Sequence, residues 1–389
     1  MDDKNLSDVA TKGGPSLRVA QVVATFPPYW AGTGNVAYHQ SRVLFERGYD
    51  VEVFTALPPG KEPMDFPFPV HYLKTWGRIG NAPFTPALIR RLRGFDLIHL
   101  HYPYIFGADL TMIAAMRYHM PVVATYHNDL LGRGIKGLLF GLYNHFNQSL
   151  ILRHMRSIMA STRDYAAHSY LAQLRYPAIT VIPLAVDPRF LCRIQGDMEP
   201  GNNTERPYVL FVGAMDKAHS FKGIPVLIEA IAALSFHDLD LILIGEGELR
   251  QYYVDYAKKC GLKNVHFLGR INHDELRSLY KGALVTILPS TNSGEAFGLV
   301  ILESWAHKTP VIASSVPGVR QLIKHGVDGY LVHPGNVHQL SETVRIIAQD
   351  PQKARRMGEA GYQKVCSEYT WDRVVDQLET LYHEVIQTA

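Results

Sequence analysis

The chain alternates short apolar runs with longer stretches in which apolar positions recur every three or four residues. The short runs predict buried parallel strands, and the longer stretches predict the helices that cover them. In the first half the strand pattern fits "LRVAQVVAT" from Leu17, "VEVFT" from Val51, "DLIHLH" from Asp96, "PVVATYH" from Pro121, "SIMAS" from Ser157 and "ITVIPL" from Ile179. Helical patterns fill most gaps, 35–47 and 136–155 among them. Residues 56–81 are rich in Pro and Gly and predict loops around a short edge strand near 70–73. A polar, turn-rich break, "DPRFLCRIQGDMEPGNNTERP", spans 187–207, and the alternation then restarts. The second set of strands is "YVLFVG" from Tyr208, "LDLILIG" from Leu239, "NVHFLG" from Asn264, "ALVTILPS" from Ala283, "TPVIAS" from Thr309 and "GYLV" from Gly329. Helical patterns over 351–367 and 372–386 close the chain.

This predicts an α/β protein of two Rossmann-like domains: 1–190 with a loose leader over 1–16, a linker over 191–206, a second domain over 207–370 and a final helix over 371–389. A length of 389 residues suits two cores of ordinary size. In such sheets ligands sit beyond the carboxyl ends of the strands, and a cleft between two facing domains is the default site.

Composition narrows the class. With 47% hydrophobic and 19% charged residues the chain is globular, and a net charge of +3 is too small to argue for nucleic acid, though it suits anionic ligands. Cys192, Cys260 and Cys366 are far apart and predict reduced thiols in a cytoplasmic protein. The leader lacks the apolar core of a signal peptide, and no run is long enough to span a membrane.

The chemistry concentrates in "SGEAFGLVILESW" (293–305). The strand from Ala283 should release a loop carrying Glu295. Apolar positions 297, 300, 301, 304 and 305 then mark a helix bearing Glu303. Gly294 and Gly298 bracket the turn and would bare backbone N–H groups to an anion. Read alone, Glu295 is a helix cap and Glu303 a solvated face; paired at a strand–loop–helix corner they suggest a site.

"EAFGLVILE" resembles the E-x7-E motif of the retaining glycosyltransferases of family 4, which have the GT-B fold. "WAGTGNVAYHQSRVLFERGYDVEVFT", "FDLIHLH", "VVATYHND", "VIPLAVD", "LILIGEGEL", "NVHFLGRI", "TPVIASSVPGV" and "HGVDGYLVHPGN" resemble successive blocks of that family in the right order, over roughly 17–385. The resemblance implies two domains facing across a cleft, with the last helix returning to the first domain. It also implies transfer of a hexosyl group from a GDP- or UDP-sugar to a glycan, glycolipid or small-molecule acceptor.

Residue by residue, the resemblance implies that Glu303 holds the ribose hydroxyls and Glu295 the donor sugar's hydroxyls. Phe297, Gly298 and Leu299 would offer backbone N–H groups to the sugar and distal phosphate. A carboxylate accepts hydrogen bonds from two adjacent hydroxyls at once, so the roles suit the chemistry. In "FVGAMDKAHSFKG" (211–223), with Gly213 at the domain's first strand end, Lys222 would neutralise the departing diphosphate. The family usually has an Arg where this chain has Ala214, and Lys217 or His219 is the candidate second cation. Gly34 of "GTG" would approach the donor phosphate, His127 would bond a sugar hydroxyl, and Asp129 is a candidate on the acceptor side. No metal or other cofactor is expected, since no Asp-x-Asp pair is placed for a metal–diphosphate bridge: "DLD" at 238–240 begins a strand. Leu184-Ala185 and Gln321 also depart from the family's usual Asn-Gly and Glu.

Three other readings compete. "GTGNVA" also fits a dinucleotide fingerprint, but the next strand closes on Thr55 rather than an acid. A retaining glycosidase would need its two carboxyls about 5–5.5 Å apart across a bond. A non-catalytic sugar-nucleotide binder would need Lys222 and Glu303 but neither Glu295 nor His127. Finally, "KGLLFGLYNHFNQSLILRHMR" over 136–156 fits either an ordinary domain helix or peripheral contact with an anionic inner-membrane surface.

Overall fold

The computed structural model describes residues 17–29, 32–80, 82–130, 140–141, 143, 149–173, 179–191, 206–234 and 239–388. The expected leader over 1–16, most of the expected linker and much of the candidate membrane helix over 136–156 lie outside the described residues.

Fifteen described strands follow in chain order. They are β1 Arg18–Val22, β2 Asp50–Thr55, β3 Val70–Tyr72, β4 Gly77–Ile79, β5 Ala82–Phe84, β6 Leu97–Tyr102, β7 Val122–Tyr126, β8 Ser157–Ala160 and β9 Ile179–Val181, then β10 Tyr208–Val212, β11 Asp240–Ile244, β12 Val265–Gly269, β13 Val285–Leu288, β14 Val311–Ser314 and β15 Gly329–Val332. Seven form a sheet in the order β3-β2-β1-β6-β7-β8-β9, and six a second sheet in the order β12-β11-β10-β13-β14-β15. The second is parallel throughout. Each is a Rossmann-type order, reversing at β1 in one sheet and at β10 in the other.

The apolar runs fold this way because the inner strands are buried on both faces. Every residue of β6, β11, β13 and β14 is buried. β12, at the edge, alternates instead. Around the second sheet Val209, Phe211, Leu241, Leu243, Val285 and Ile287 pack with Leu227, Ile228 and Val344 from the covering helices. β4 and β5 pair antiparallel as a separate hairpin within and just beyond the segment expected to be loop. The helix expected from Asn35 begins at Gly32 and runs to Glu46, so "GTG" forms its first turn rather than a loop before it.

Chain contacts divide the molecule into two compact units. One comprises Met1–Thr125, His154–Ser157 and Glu379–Ala389; the other comprises Tyr126–Arg153 and Ile158–Leu378. In the first, His99 and His101 are wholly buried and stacked, with ring centroids 4.7 Å apart. His99 Nδ1 lies 2.6 Å from Tyr382 Oη and its Nε2 2.7 Å from Thr125 Oγ1, while His101 Nε2 lies 2.9 Å from Gln21 Oε1. The network gives the polar edges of two imidazoles partners inside an apolar core, which burial requires. Tyr382→Phe keeps the ring's packing and removes one partner of His99. A loss of about 1–3 kcal/mol in unfolding free energy is expected from chemical denaturation, with little change in slope.

Candidate functional site

Strand order reverses between β10 and β13, so the loops leaving their carboxyl ends diverge and frame a corner of the second unit. The loop after β10 ends in a short 3-10 turn, Lys217–Lys222, and hands over to the helix Ile224–Ala232 through Gly223. Gly223 has a φ of 71°, and a Cβ there would lie 2.0 Å from the Pro289 carbonyl oxygen. The position therefore needs glycine twice over, for its conformation and for the approach of the β13 loop. Thr291 seals that approach: its backbone N–H donates to the Phe221 carbonyl at 2.7 Å and its hydroxyl at 3.1 Å.

This clamp brings Lys222 to Glu295. Nζ donates to Oε2 at 2.8 Å, and the two side chains are only 14% and 13% exposed. Ser290 Oγ donates to the same oxygen at 3.3 Å. Glu295 thus sits in the loop, as the sequence predicts, but not as a simple helix cap: the helix starts four residues later, spanning Leu299–Ala306 with Gly298 as N-cap. Phe297 is buried, and Gly294 N–H donates to Asn292 Oδ1 at 2.9 Å rather than standing open. The N–H groups of the first helical residues, Leu299 foremost, have no acceptor within the helix.

Glu303 is half-buried one turn into that helix, and its carboxyl accepts from Tyr280 Oη at 2.6 Å. It is not a solvated face. Burial raises its pKa above the usual carboxylate range, Asp187 adds to this, and Tyr280 and Lys222 oppose it. Tyr280 is wholly buried and stacks on His307, whose pKa falls to about 4 through burial. The two acids of the motif thus hold different partners, Lys222 for one and Tyr280 for the other. Tyr280 escaped notice in the sequence because a tyrosine in an amphipathic helix carries no mark of its hydroxyl's use.

The other expected residues are placed as follows. Gly213 follows β10, and a Cβ there would meet Lys222 Cδ at 2.8 Å, so the glycine makes room for the lysine stem. Lys217 is exposed and 3.6 Å from Glu248, and His219 Nδ1 lies 2.8 Å from Asp216 Oδ1; each already faces an acid. His127 directly follows β7, and burial pushes its pKa down to about 3, so its imidazole is neutral. Asp129 Oδ1 accepts from Tyr126 Oη at 2.6 Å and from the Tyr170 N–H at 3.1 Å, a structural pin within the second unit. Gly34, in the first unit, has a packing reason of its own: a Cβ would lie 2.7 Å from the Thr25 carbonyl oxygen. A separate open groove of about 490 Å³, lined by Ser161, Thr162, Gln321, Lys364, Tyr369 and Arg373 among others, includes none of Lys222, Glu295 and Glu303.

Two family models match the chain in tandem: Glycosyltransferase Family 4 over residues 30–190 and glycosyl transferases group 1 over residues 197–364. The chain belongs to the family 4 glycosyltransferases. It is 26% identical to the O-antigen chain mannosyltransferase C of Escherichia coli, over 96% of this chain and 100% of that protein. Among solved structures it is similar to sucrose-phosphate synthase from Thermosynechococcus elongatus, with 22% identity, a TM-score of 0.78 and coverage of 96% and 100%. It is also similar to HepE of Anabaena in complex with UDP-glucose, with 18% identity, a TM-score of 0.74 and coverage of 96% and 100%. The fold is GT-B, with two Rossmann-like parallel-sheet domains.

The half-buried titratable groups of this glycosyltransferase make its stability pH-dependent. His127 and His307 are held neutral in the folded chain, at about 3 and about 4, whereas the unfolded chain binds their protons near pH 6.5. Their cost is absent above about pH 6.5 and grows as pH falls toward 4. Glu303 acts in the opposite sense, since its folded pKa is raised and protonation relieves its burial. Glu303→Gln removes a half-buried charge while keeping an acceptor for Tyr280. Thermal melts at neutral pH are expected to show Glu303→Gln more stable than the wild type, and the wild type steadily less stable from pH 6.5 down to about 4.

Proposed function

We propose that this glycosyltransferase moves a hexosyl group from a GDP- or UDP-sugar to a glycan, glycolipid or small-molecule acceptor, with retention of anomeric configuration and without a metal. The observation that carries the reading is the Lys222–Glu295 pair at the strand-order reversal, in the loop that leads into the helix bearing the half-buried Glu303. Cation, loop carboxylate and helix carboxylate form a series that suits diphosphate, sugar and ribose. Similar proteins support it: a mannosyltransferase, and HepE in complex with UDP-glucose.

In this mechanism Lys222 exchanges the Glu295 carboxylate for the donor diphosphate. Its charge then stabilises the phosphate oxygen that departs as the glycosidic C1–O bond breaks. Glu295, released, accepts hydrogen bonds from donor sugar hydroxyls, and Glu303 turns its carboxylate to the ribose diol. The helix N-terminus at Leu299 adds uncompensated N–H groups toward the distal phosphate. Neutral His127 offers a ring nitrogen to a sugar hydroxyl. The acceptor oxygen forms the new bond to C1 on the face the phosphate leaves, and the acceptor proton passes to a leaving phosphate oxygen. Lys222 supplies the positive charge that a metal would otherwise bring.

A thermal-shift screen against UDP- and GDP-sugars should give one donor that raises Tm by mass action. With that donor, Glu303→Ala is expected to weaken binding by about 1.5–3 kcal/mol, the loss of one charged hydrogen-bond set. Glu295→Ala should leave binding closer to wild type and depress turnover by at least about a hundredfold, in the range of lost transition-state contacts. Unchanged donor affinity and unchanged turnover in both variants overturns the assignment. Inversion at C1 in the NMR spectrum of the product, or abolition of turnover by a chelator, overturns the mechanism.

A further inference from the structure

Between Val70 and Phe95 the chain carries Lys74, Arg78, Arg90, Arg91 and Arg93 and no Asp or Glu, more positive charge than the net +3 of the whole protein. The structure gathers this run into one piece of the first unit. The β4–β5 hairpin leads through Thr85 directly into the short helix Leu88–Arg91, which packs against the helix Gly107–Tyr118. The hairpin is anchored there, since Phe84 meets Phe106 edge-on at 5.4 Å and Thr85 Oγ1 lies 3.3 Å from Tyr104 Oη.

What the hairpin presents outward is apolar. Trp76 is 74% exposed and Ile79 48%, while the backbone N–H of Trp76 is fixed to Phe84 O at 2.9 Å. On the helix Gly107–Tyr118, Ile113 and Met116 stand one turn apart and are 50% and 65% exposed. An indole held this far out on a fixed backbone costs apolar surface in water and serves no core. Lys74, Arg90, Arg91 and Arg93 are all exposed on the same continuous segment.

We infer that this face, the β4–β5 hairpin with the helix Leu88–Arg91, docks the protein onto an anionic lipid bilayer. Trp76 and Ile79 enter the boundary between headgroups and acyl chains, where indole is favoured, and Arg90, Arg91 and Arg93 bind the headgroup phosphates. A polyanion alone would use the arginines and leave Trp76 and Ile79 wet; the combination of both is what selects a lipid surface. The inference does not depend on the donor or on the transfer reaction, and it rests on residues apart from the 136–156 segment.

The test is co-sedimentation of the full chain with mixed phosphatidylcholine–phosphatidylglycerol vesicles, without any nucleotide sugar. Binding is expected to the anionic vesicles, to fall with added salt, and to be negligible with phosphatidylcholine alone. Replacing Arg90, Arg91 and Arg93 together by Gln should weaken partitioning by about a hundredfold, and Trp76→Ala by about tenfold. Trp305 and Trp371 are buried, so in a Trp30→Phe background a blue shift of emission on vesicle binding reports Trp76. Loss of that shift in an added Trp76→Phe change supports the docking pose. An unchanged melting temperature and far-UV circular dichroism spectrum in each variant, without nucleotide, show that the fold is intact. No sedimentation at low salt, sedimentation untouched by Trp76→Ala, or binding to heparin but not to vesicles overturns the proposal.

Discussion

The candidate site depends on one ion pair. Lys222 and Glu295 lie 73 positions apart in sequence, are mostly withdrawn from water, and meet at 2.8 Å. Neither charge is tolerable there alone, since breaking a buried pair by removing one partner typically costs about 3–5 kcal/mol. The surrounding geometry serves the pair: Gly223 lets the β13 loop approach, Thr291 fastens it to Phe221, and Gly213 leaves room for the lysine stem. A nucleoside-diphosphate sugar, on the proposed reading, must replace each charge's partner at the same time. The diphosphate takes the ammonium and the sugar hydroxyls take the carboxylate. A bare nucleoside diphosphate satisfies only half of that exchange, so the pair itself favours the intact donor over the product.

On the proposed reading, stability is given up at neighbouring points for the same end. Glu303 sits with its carboxyl on Tyr280, in a place where burial disfavours its charge. His307 lies stacked on the same tyrosine with its Nε2 buried and its pKa depressed to about 4. Buried polar groups with incomplete partners belong where a ligand or a mechanism uses them. The histidine pair of the first unit shows the other use of buried polarity, with His99 and His101 bonded to Tyr382, Thr125 and Gln21 as part of a core.

The sheets were readable from the chain because parallel strands covered on both faces leave continuous apolar runs, as in "YVLFV" and "DLILI". The β4–β5 hairpin was not, because three-residue strands carrying Gly, Pro and an exposed Ile, with an exposed Trp just before them, show no alternation. The residue types at the site were legible from "EAFGLVILE" and the lysine before Gly223. Their partners were not. That Lys222 meets Glu295, or that Tyr280 donates to Glu303, follows from which loops and helices the strand order brings together, and local spacing carries none of it.

The departures from the family pattern can be judged by the same physical standard. Gln321 stands where an acid is usual, and its Oε1 accepts from the Asp164 backbone N–H at 2.8 Å. Asp164 is itself engaged: burial opposes its charge, but Arg320 and the Gly318 N–H outweigh it and keep its pKa low. A glutamate at 321 could accept the same hydrogen bond, yet it would set a second negative charge beside Asp164 with Arg320 already committed to the first. The amide keeps the acceptor and avoids that repulsion, so the substitution conserves the local bond that joins the helix Val319–Leu322 to the turn at Thr162–Asp164. Gly318, which opens that helix, is packed against the Ala296 carbonyl, one residue from Glu295. The exchange at 321 therefore acts on the support of the Glu295 loop and leaves the Lys222–Glu295 pair itself untouched.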